Sequence, residues 1–253
     1  MSAVEPYSPD RSVRGKLRRR WARMVHRRPL RSIVDRPLIS FSFDDAPVSA
    51  VQAGAEALQA HGVRGTYYVC AGLDGRHGHM GDYAEARDYA DLSARGHEVA
   101  CHTFSHLDCG KASGPQIIAD VDRNIHALYE VGLETRHFAY PYGDVSPDAK
   151  QVLQGRFGSL RALHPGLIRQ GVDLNQLPAV GIEGANGEAR AAAWIDRAIA
   201  RKAWLILYTH DVRPDASDWG CTPEAFDRLV SRAAAGAEVA PVGTVLERLQ
   251  AQS

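Results

Sequence analysis

A run of alternating apolar residues, Leu38-Ile39-Ser40-Phe41-Ser42-Phe43, closes on two adjacent carboxylates and a proline, Asp44-Asp45-Ala46-Pro47. Such alternation marks a half-buried strand. Proline cannot carry a strand on, and it favours extended geometry at the residue before it, Ala46. Two acids therefore stand side by side at the carboxyl end of a strand, where the chain turns. Adjacent carboxylates repel, and are tolerated best in water or around a cation.

Two more apolar runs end in a comparable way. Val99-Ala100-Cys101 leads into His102-Thr103-Phe104-Ser105-His106, and Trp204-Leu205-Ile206-Leu207-Tyr208 leads into Thr209-His210-Asp211. Histidines four apart face the same way on a helical turn. One carboxylate and two imidazoles are a usual protein shell for a catalytic zinc that keeps one position open. One of the two adjacent acids, with His102 and His106, would supply that set here. Taken singly, each piece also suits a solvated turn or a surface histidine. Their shared place at strand ends argues for a site, because parallel α/β sheets and barrels carry their chemistry at that rim.

The intervening chain alternates between strand and helix. Helical spacing or capping marks residues 49–61, 83–95, 113–132, 147–153 and 188–200, and a helix starting at Thr222-Pro223-Glu224. Strands fall at 65–70, 138–140, 158–163 and near 239–242. This order predicts α/β architecture with a parallel sheet, and 253 residues suffice for one barrel-sized domain. A glycine-rich loop, residues 71–81, carries His77 and His79, which are expected to be solvated and only secondarily extra ligands. With equal numbers of acidic and basic residues, bulk binding of nucleic acid is not expected.

Residues 1–36 read as a basic arm ahead of the domain at 37–253. Arg11, Arg14, Lys16, Arg18, Arg19, Arg20, Arg23, Arg27, Arg28 and Arg31 crowd it. Trp21, Met24, Val25 and Leu30 offer an apolar side. Such a segment packs on the domain or lies on an anionic lipid or membrane surface. It lacks the continuous apolar core of a signal peptide or membrane span. The expected location is cytoplasmic, at most peripheral to the inner membrane, with Cys70, Cys101, Cys109 and Cys221 as reduced thiols.

The ordered pieces Ser42-Phe43-Asp44-Asp45, His102-Thr103-Phe104-Ser105-His106, Tyr140-Pro141-Tyr142-Gly143 and Leu205-Ile206-Leu207-Tyr208-Thr209-His210 resemble the motifs of the polysaccharide deacetylases, the NodB-homology enzymes of carbohydrate esterase family 4. The resemblance runs from about Pro37 to Leu249. It implies a distorted (β/α) barrel of about seven parallel strands, one divalent metal ion, most simply zinc, and removal of an N-acetyl group from an acetamido sugar. With Asp45, His102 and His106 on the metal, Asp44 is the expected general base and His210 the general acid on the leaving amine. The backbone N–H of Tyr142 is the expected oxyanion donor. Tyr140, Tyr142, Tyr208 and Trp219 are expected against sugar faces.

One departure stands out. The family commonly has an arginine in its third motif, bonded to the catalytic aspartate; that place falls here at Ala139 or Tyr140, with Arg136 just upstream and out of register. The acid that usually holds this arginine has only Asp173 as a candidate. This departure bears on the orientation of Asp44 and on substrate class; with no export signal read in the sequence, the expected substrate is an intracellular surface-glycan precursor of the lipopolysaccharide, O-antigen, lipid-linked or nucleotide-sugar kind. Alternatives are hydrolysis of another acyl or cyclic amide, or a catalytically weak carbohydrate-binding protein on the same fold.

Overall fold

Every residue of the first strand, β1 (Leu38–Asp44), is buried, where alternation alone predicts half. The computed structural model, which describes residues 12–252, shows why. In chain order the strands are β1, β2 (Thr66–Val69), the small antiparallel pair β3 (His77–Gly78) and β4 (Gly81–Asp82), β5 (Glu98–Cys101), β6 (His137–Ala139), β7 (Ser159–Arg161), β8 (Val180–Gly181), β9 (Trp204–Thr209) and β10 (Glu238–Val239). Seven of them form one curled parallel sheet in the order β7-β6-β5-β2-β1-β9-β8, with β10 beside the start of β1. This is the distorted barrel expected. A strand at the centre of a covered parallel sheet is buried on both faces.

The two faces of β1 nevertheless differ. Ile39, Phe41 and Phe43 pack outward with Leu205, Leu207 and Phe226. Ser40 and Ser42 take the other face, and both hydroxyls are satisfied: Trp204 Nε1 donates to Ser40 Oγ at 3.0 Å, and Ser42 Oγ donates to the Leu207 carbonyl at 2.9 Å. That face continues into Asp44 at the mouth.

The helices are α1 (Val13–Ala22), α2 (Ala55–Ala60), α3 (Ala86–Ala94), α4 (Gly114–Tyr129), α5 (Pro147–Leu153), α6 (Gly187–Ala200), α7 (Pro223–Gly236) and α8 (Val242–Ala251). The stretch predicted at 49–61 begins as a wide π-helical turn, Ala50–Gly54, before α2. Gly54 is required there, since a Cβ at that position would come within 2.8 Å of the Phe43 ring. Helix α7 starts as read from its sequence: Thr222 Oγ1 accepts from Ala225 N, with Pro223 in the first turn.

Between β7 and β8 the sheet is open, and the arm helps to fill the seam. Leu160 N donates to the Leu174 carbonyl, Leu174 N to the Arg28 carbonyl and Leu30 N to the Val172 carbonyl, each at 2.8 Å. Ala22 is buried with Ile117, Val121 and Phe138. The buried Lys150 donates to the Ala22 carbonyl at 2.8 Å and to Asp173 at 2.6 Å. The arm is thus packed structure from α1 onward. Its expected apolar side divides: Leu30 joins the core, Val25 is half-buried, and Trp21 and Met24 remain exposed. Arg11 lies outside the described residues.

Candidate active site at the strand ends

Asp44 and Asp45 leave β1 in different directions because the backbone turns sharply between them. Asp45 has φ 59° and Ala46 has φ 48°, so Ala46 is left-handed instead of extended as its proline neighbour predicts. Thr103, His106 and Tyr142 also have positive φ. Five of the seven non-glycine residues with positive φ among the described residues therefore meet here. Side chains in that region cost energy, and surrounding structure must hold them there.

The restraint on the histidine segment is visible. Residues 102–106 form a loop, not the helical turn that the four-residue spacing suggests. Asp120, on α4, accepts from Phe104 N at 2.7 Å, Ser105 N at 3.0 Å and Ser105 Oγ at 2.7 Å. Leu107 N donates to Thr103 Oγ1 at 2.9 Å. Asn124, one turn further along α4, donates to the Val69 carbonyl at 2.9 Å and accepts from Ala71 N at 2.8 Å, which ties down the end of β2.

The loop brings both histidines to Asp45. His106 Nε2 lies 3.5 Å from Asp45 Oδ1, and His102 Nε2 lies 3.8 Å from the same oxygen. His102 Nδ1 is 2.8 Å from the Ala139 carbonyl. A carbonyl only accepts, so Nδ1 carries the proton and the lone pair of Nε2 points at Asp45. Burial lowers the His102 pKa to about 4, which keeps the ring neutral near pH 7. Burial pushes Asp45 up, but His106, His102 and His210 outweigh it and hold the carboxyl below its ordinary value. Ligands that share one ion at about 2.0–2.2 Å stand a little over 3 Å apart. Asp45, His102 and His106 fit a divalent metal in donor type, with both imidazoles turned to one carboxylate oxygen, and the His102 tautomer leaves its Nε2 lone pair available.

Cys70 adjoins this set. Its sulfur lies with the donor atoms of Asp45 and His102 within 4.8 Å of one another. It donates to the His102 carbonyl at 2.9 Å, and burial, then Asp45, raises its pKa well above the ordinary range. Cys70 is thus a protonated sulfur beside Asp45 and His102, while His106 offers an imidazole to the same Asp45 oxygen. The sequence reading took Cys70 only as a reduced thiol.

Asp44 has a different partner. Arg161 Nη2, from the end of β7, donates to both Asp44 oxygens at 2.6 and 2.7 Å. The guanidinium is fully buried, 4.8 Å above the Tyr68 ring and 5.5 Å from that of Tyr208. Burial opposes its charge, and Asp44 outweighs burial and raises its pKa. Asp173, the candidate acid for holding an arginine, pairs instead with Lys150. Arg136 is exposed beside Glu134.

Residues 32–155 match the family model for polysaccharide deacetylase. Over this stretch the chain matches the polysaccharide deacetylase family. Chitooligosaccharide deacetylase of Sinorhizobium fredii is 31% identical over 125 residues, which are 47% of this chain and 53% of that protein. A probable peptidoglycan-N-acetylglucosamine deacetylase of Arthroderma benhamiae is 24% identical over 49% of this chain and 28% of its own length. The chain thus spans about half or less of these relatives. Among solved structures, a Mycobacterium smegmatis protein assigned to the polysaccharide deacetylases aligns with TM-score 0.69 at 18% identity, over 89% of this chain and 96% of that one. A CE4 family pseudoenzyme from Bacillus anthracis aligns with TM-score 0.57 at 14% identity, over 84% and 66%.

Against the family pattern, the missing arginine is found on the adjacent strand. Ala139 pairs in register with Arg161, so the two project from the same face at the same level. Alanine at 139 leaves that space to the longer side chain. The match at 32–155 stops short of both Arg161 and His210.

The remaining predicted residues divide. His210 Nδ1 donates to the Trp219 carbonyl at 3.2 Å, and the ring lies close enough to Asp45 to help hold that carboxyl down. Tyr142 sets its ring against His106, centroids 4.4 Å apart. Trp219 is 37% exposed and packs edge-on against His79 at 4.7 Å. His79 thus reaches the rim from the β3–β4 hairpin, while His77 stays exposed beside Asp82. Tyr208 is nearly buried and donates to Glu183 at 2.7 Å. Tyr140 is no sugar platform: it is fully buried, packs in the core with Phe138, and donates to the Asn175 carbonyl at 3.2 Å.

Proposed function

We propose that the chain is a metal-dependent hydrolase that removes the N-acetyl group from an acetamido sugar of a bacterial surface glycan or its precursor, with lipopolysaccharide and O-antigen intermediates as the leading class. The observation that carries this reading is the division between two adjacent carboxylates: Asp45 faces His102 and His106, and Asp44 is fixed by Arg161. The alternative of a catalytically weak binder drew its force from an unheld Asp44, and Arg161 removes that motive.

Asp45, His102 and His106 would hold the ion. Zinc suits one carboxylate with two imidazoles and lends Lewis acidity to the amide carbonyl and the attacking water. Asp44 takes the proton from that water, its carboxylate held in one orientation by Arg161. The Tyr142 N–H donates to the oxygen that becomes negative as the carbonyl is attacked. His210 delivers a proton from Nε2 to the amide nitrogen, the C–N bond breaks, and acetate and the amino sugar leave. Trp219 and Tyr142 offer apolar surface for sugar faces.

The four free thiols suit a reducing, cytoplasmic setting, and the basic arm suits contact with anionic lipid. The test is acetate release from a panel of acetamido sugars, from chitooligosaccharides to lipid-linked glycan intermediates, with and without added zinc. We expect about one ion per chain, and His106→Ala should lose most of the ion and of the acetate release. Full occupancy in an Asp45→Ala, His106→Ala double variant would sink the reading.

A further inference from the structure

The exposed apolar surface of this protein is concentrated in the arm. Val13, Leu17, Trp21, Met24 and Ile33 make up five of the seven large hydrophobic residues exposed among the described residues. Val13, Leu17 and Trp21 repeat every four residues along one side of α1, with Met24 three further on. The opposite side is anchored: Ala22 is buried, and Arg18 pairs with Asp144 at 2.7 Å. The stripe therefore faces outward on a fixed helix.

The charges beside it have one sign. No acidic residue occurs between Arg11 and Val34. Lys16, Arg20, Arg23, Arg27 and Arg31 are exposed, and none pairs with a carboxylate among the described residues. Behind the arm is a cavity of about 450 Å³ lined by Arg23, Arg27, His164, Gln170 and Gln176 over an apolar floor that includes Val172. His164 Nδ1 and Gln176 Oε1 are buried there without hydrogen-bond partners. Arg27 Nη2 reaches the Gly171 carbonyl at 3.1 Å. The one acid in the wall, Asp173, is already bonded to Lys150 at 2.6 Å and to Arg28 N at 2.9 Å, so the arginines keep their charge unopposed.

This surface adjoins the strand ends. Asp144, which holds Arg18, lies two residues past Tyr142, and His164 lies three past Arg161.

We propose that α1 and the cavity behind it dock the protein on a bilayer bearing anionic phosphate headgroups, with the Val13–Leu17–Trp21–Met24 stripe in the interface and a headgroup phosphate at Arg23, Arg27 and His164. Charge complementarity selects this occupant: a uniformly basic, unpaired rim around an apolar stripe matches an acidic interface. No helix among the described residues is long and apolar enough to cross a membrane, so the helix lies along the surface. An acetamido sugar carried on a lipid phosphate would then meet the strand ends beside the bilayer. That last step rests on the deacetylase reading; the docking does not.

The test is sedimentation of the full chain with phosphatidylcholine vesicles, with and without phosphatidylglycerol. Binding should require phosphatidylglycerol and weaken with salt. Leu17→Ser with Trp21→Ser, and separately Arg23→Gln with Arg27→Gln, should each weaken binding by about tenfold or more at an unchanged thermal midpoint. No binding by the unaltered chain, or equal binding to phosphatidylcholine alone, would overturn the proposal. So would tight binding of inorganic phosphate without vesicle binding, which would assign the cavity to a soluble anion. Vesicle binding by a chain that releases no acetate from any sugar would keep the docking and sink the deacetylase reading; acetate release by a chain indifferent to vesicles would do the reverse.

Discussion

The two sides of the barrel mouth are built by different means. On the β1–β5 side, Asp44, Asp45, His102 and His106 come from short contiguous motifs, and strained backbone held by Asp120 aims them. On the β6–β7 side, the group that matters most to Asp44 comes from 117 residues away in the chain and is placed only by the pairing of β6 with β7. The first side is written into local sequence, the second into lateral register. A motif tolerates movement of its surroundings so long as its own loop holds. A residue placed by register depends on its strand, and its neighbour must leave it room, as Ala139 does.

The largest effect expected from breaking this arrangement is at the Asp44–Arg161 pair. Asp44→Asn should retain metal and lose about two to four orders of magnitude in turnover, the usual scale for a general base. Arg161→Gln should damage stability as well, by about 3–5 kcal/mol, because it strands a buried carboxylate. Combining Arg161→Gln with Asp44→Asn should return much of that stability, since neither charge is left alone, and return no activity. Urea unfolding and initial rates on the four proteins would measure both effects. If the double variant is no more stable than Arg161→Gln, the pair is not the coupled unit its geometry describes.

The contrast also explains what could be read from the sequence. The barrel was legible because each strand is a short apolar run between helices, and the gathering of Asp44, Asp45, His102 and His106 because chemically distinct side chains end those runs. Residues 158–163 were legible as a strand, but nothing in a one-dimensional pattern ties an arginine there to an aspartate at the end of β1. Local rules failed where tertiary contacts override them. The proline rule for Ala46 gave way to the turn that separates Asp44 from Asp45, and the helical spacing of His102 and His106 is met by a tethered loop. Tyr140 beside its Pro-Tyr-Gly turn looked available to sugar, yet alternation along β6 decides otherwise: Ala139 faces Arg161, so Phe138 and Tyr140 face the core.

A smaller and more selective effect is expected at His210, which belongs to neither side and enters from β9. His210→Ala should keep the metal. It should slow amides by about two orders of magnitude or more, because their amine leaves badly unless protonated, and slow activated esters far less. Equal loss on both substrate types would remove His210 from the acid role, and loss of metal would make it a ligand.

The smallest expected effect separates the two ends of β5, which carries a buried histidine immediately before it and another immediately after. His97 and His102 are both lowered to about 4, burial being the largest cause for each. At the mouth, His102 turns its lone pair towards Asp45. At the far end, His97 Nδ1 accepts from Gly65 N at 3.1 Å, a bond that protonation of that nitrogen would break. Folding favours the neutral His97 ring over its ordinary pKa of 6.5, so its contribution is complete above that value and drains away as pH falls towards about 4. At 1.36 kcal/mol per unit the loss is at most about 3 kcal/mol. His97→Gln keeps an acceptor for Gly65 N and has no proton to take up. Urea unfolding of metal-free protein between these two pH values should therefore show a shallower loss of stability in His97→Gln than in the unaltered chain. His102 contributes equally to both proteins and cancels in the comparison. Adding zinc should protect the His102 share and leave the His97 difference standing. Identical pH profiles with and without His97 would show that the two ends of β5 do not divide as site and scaffold.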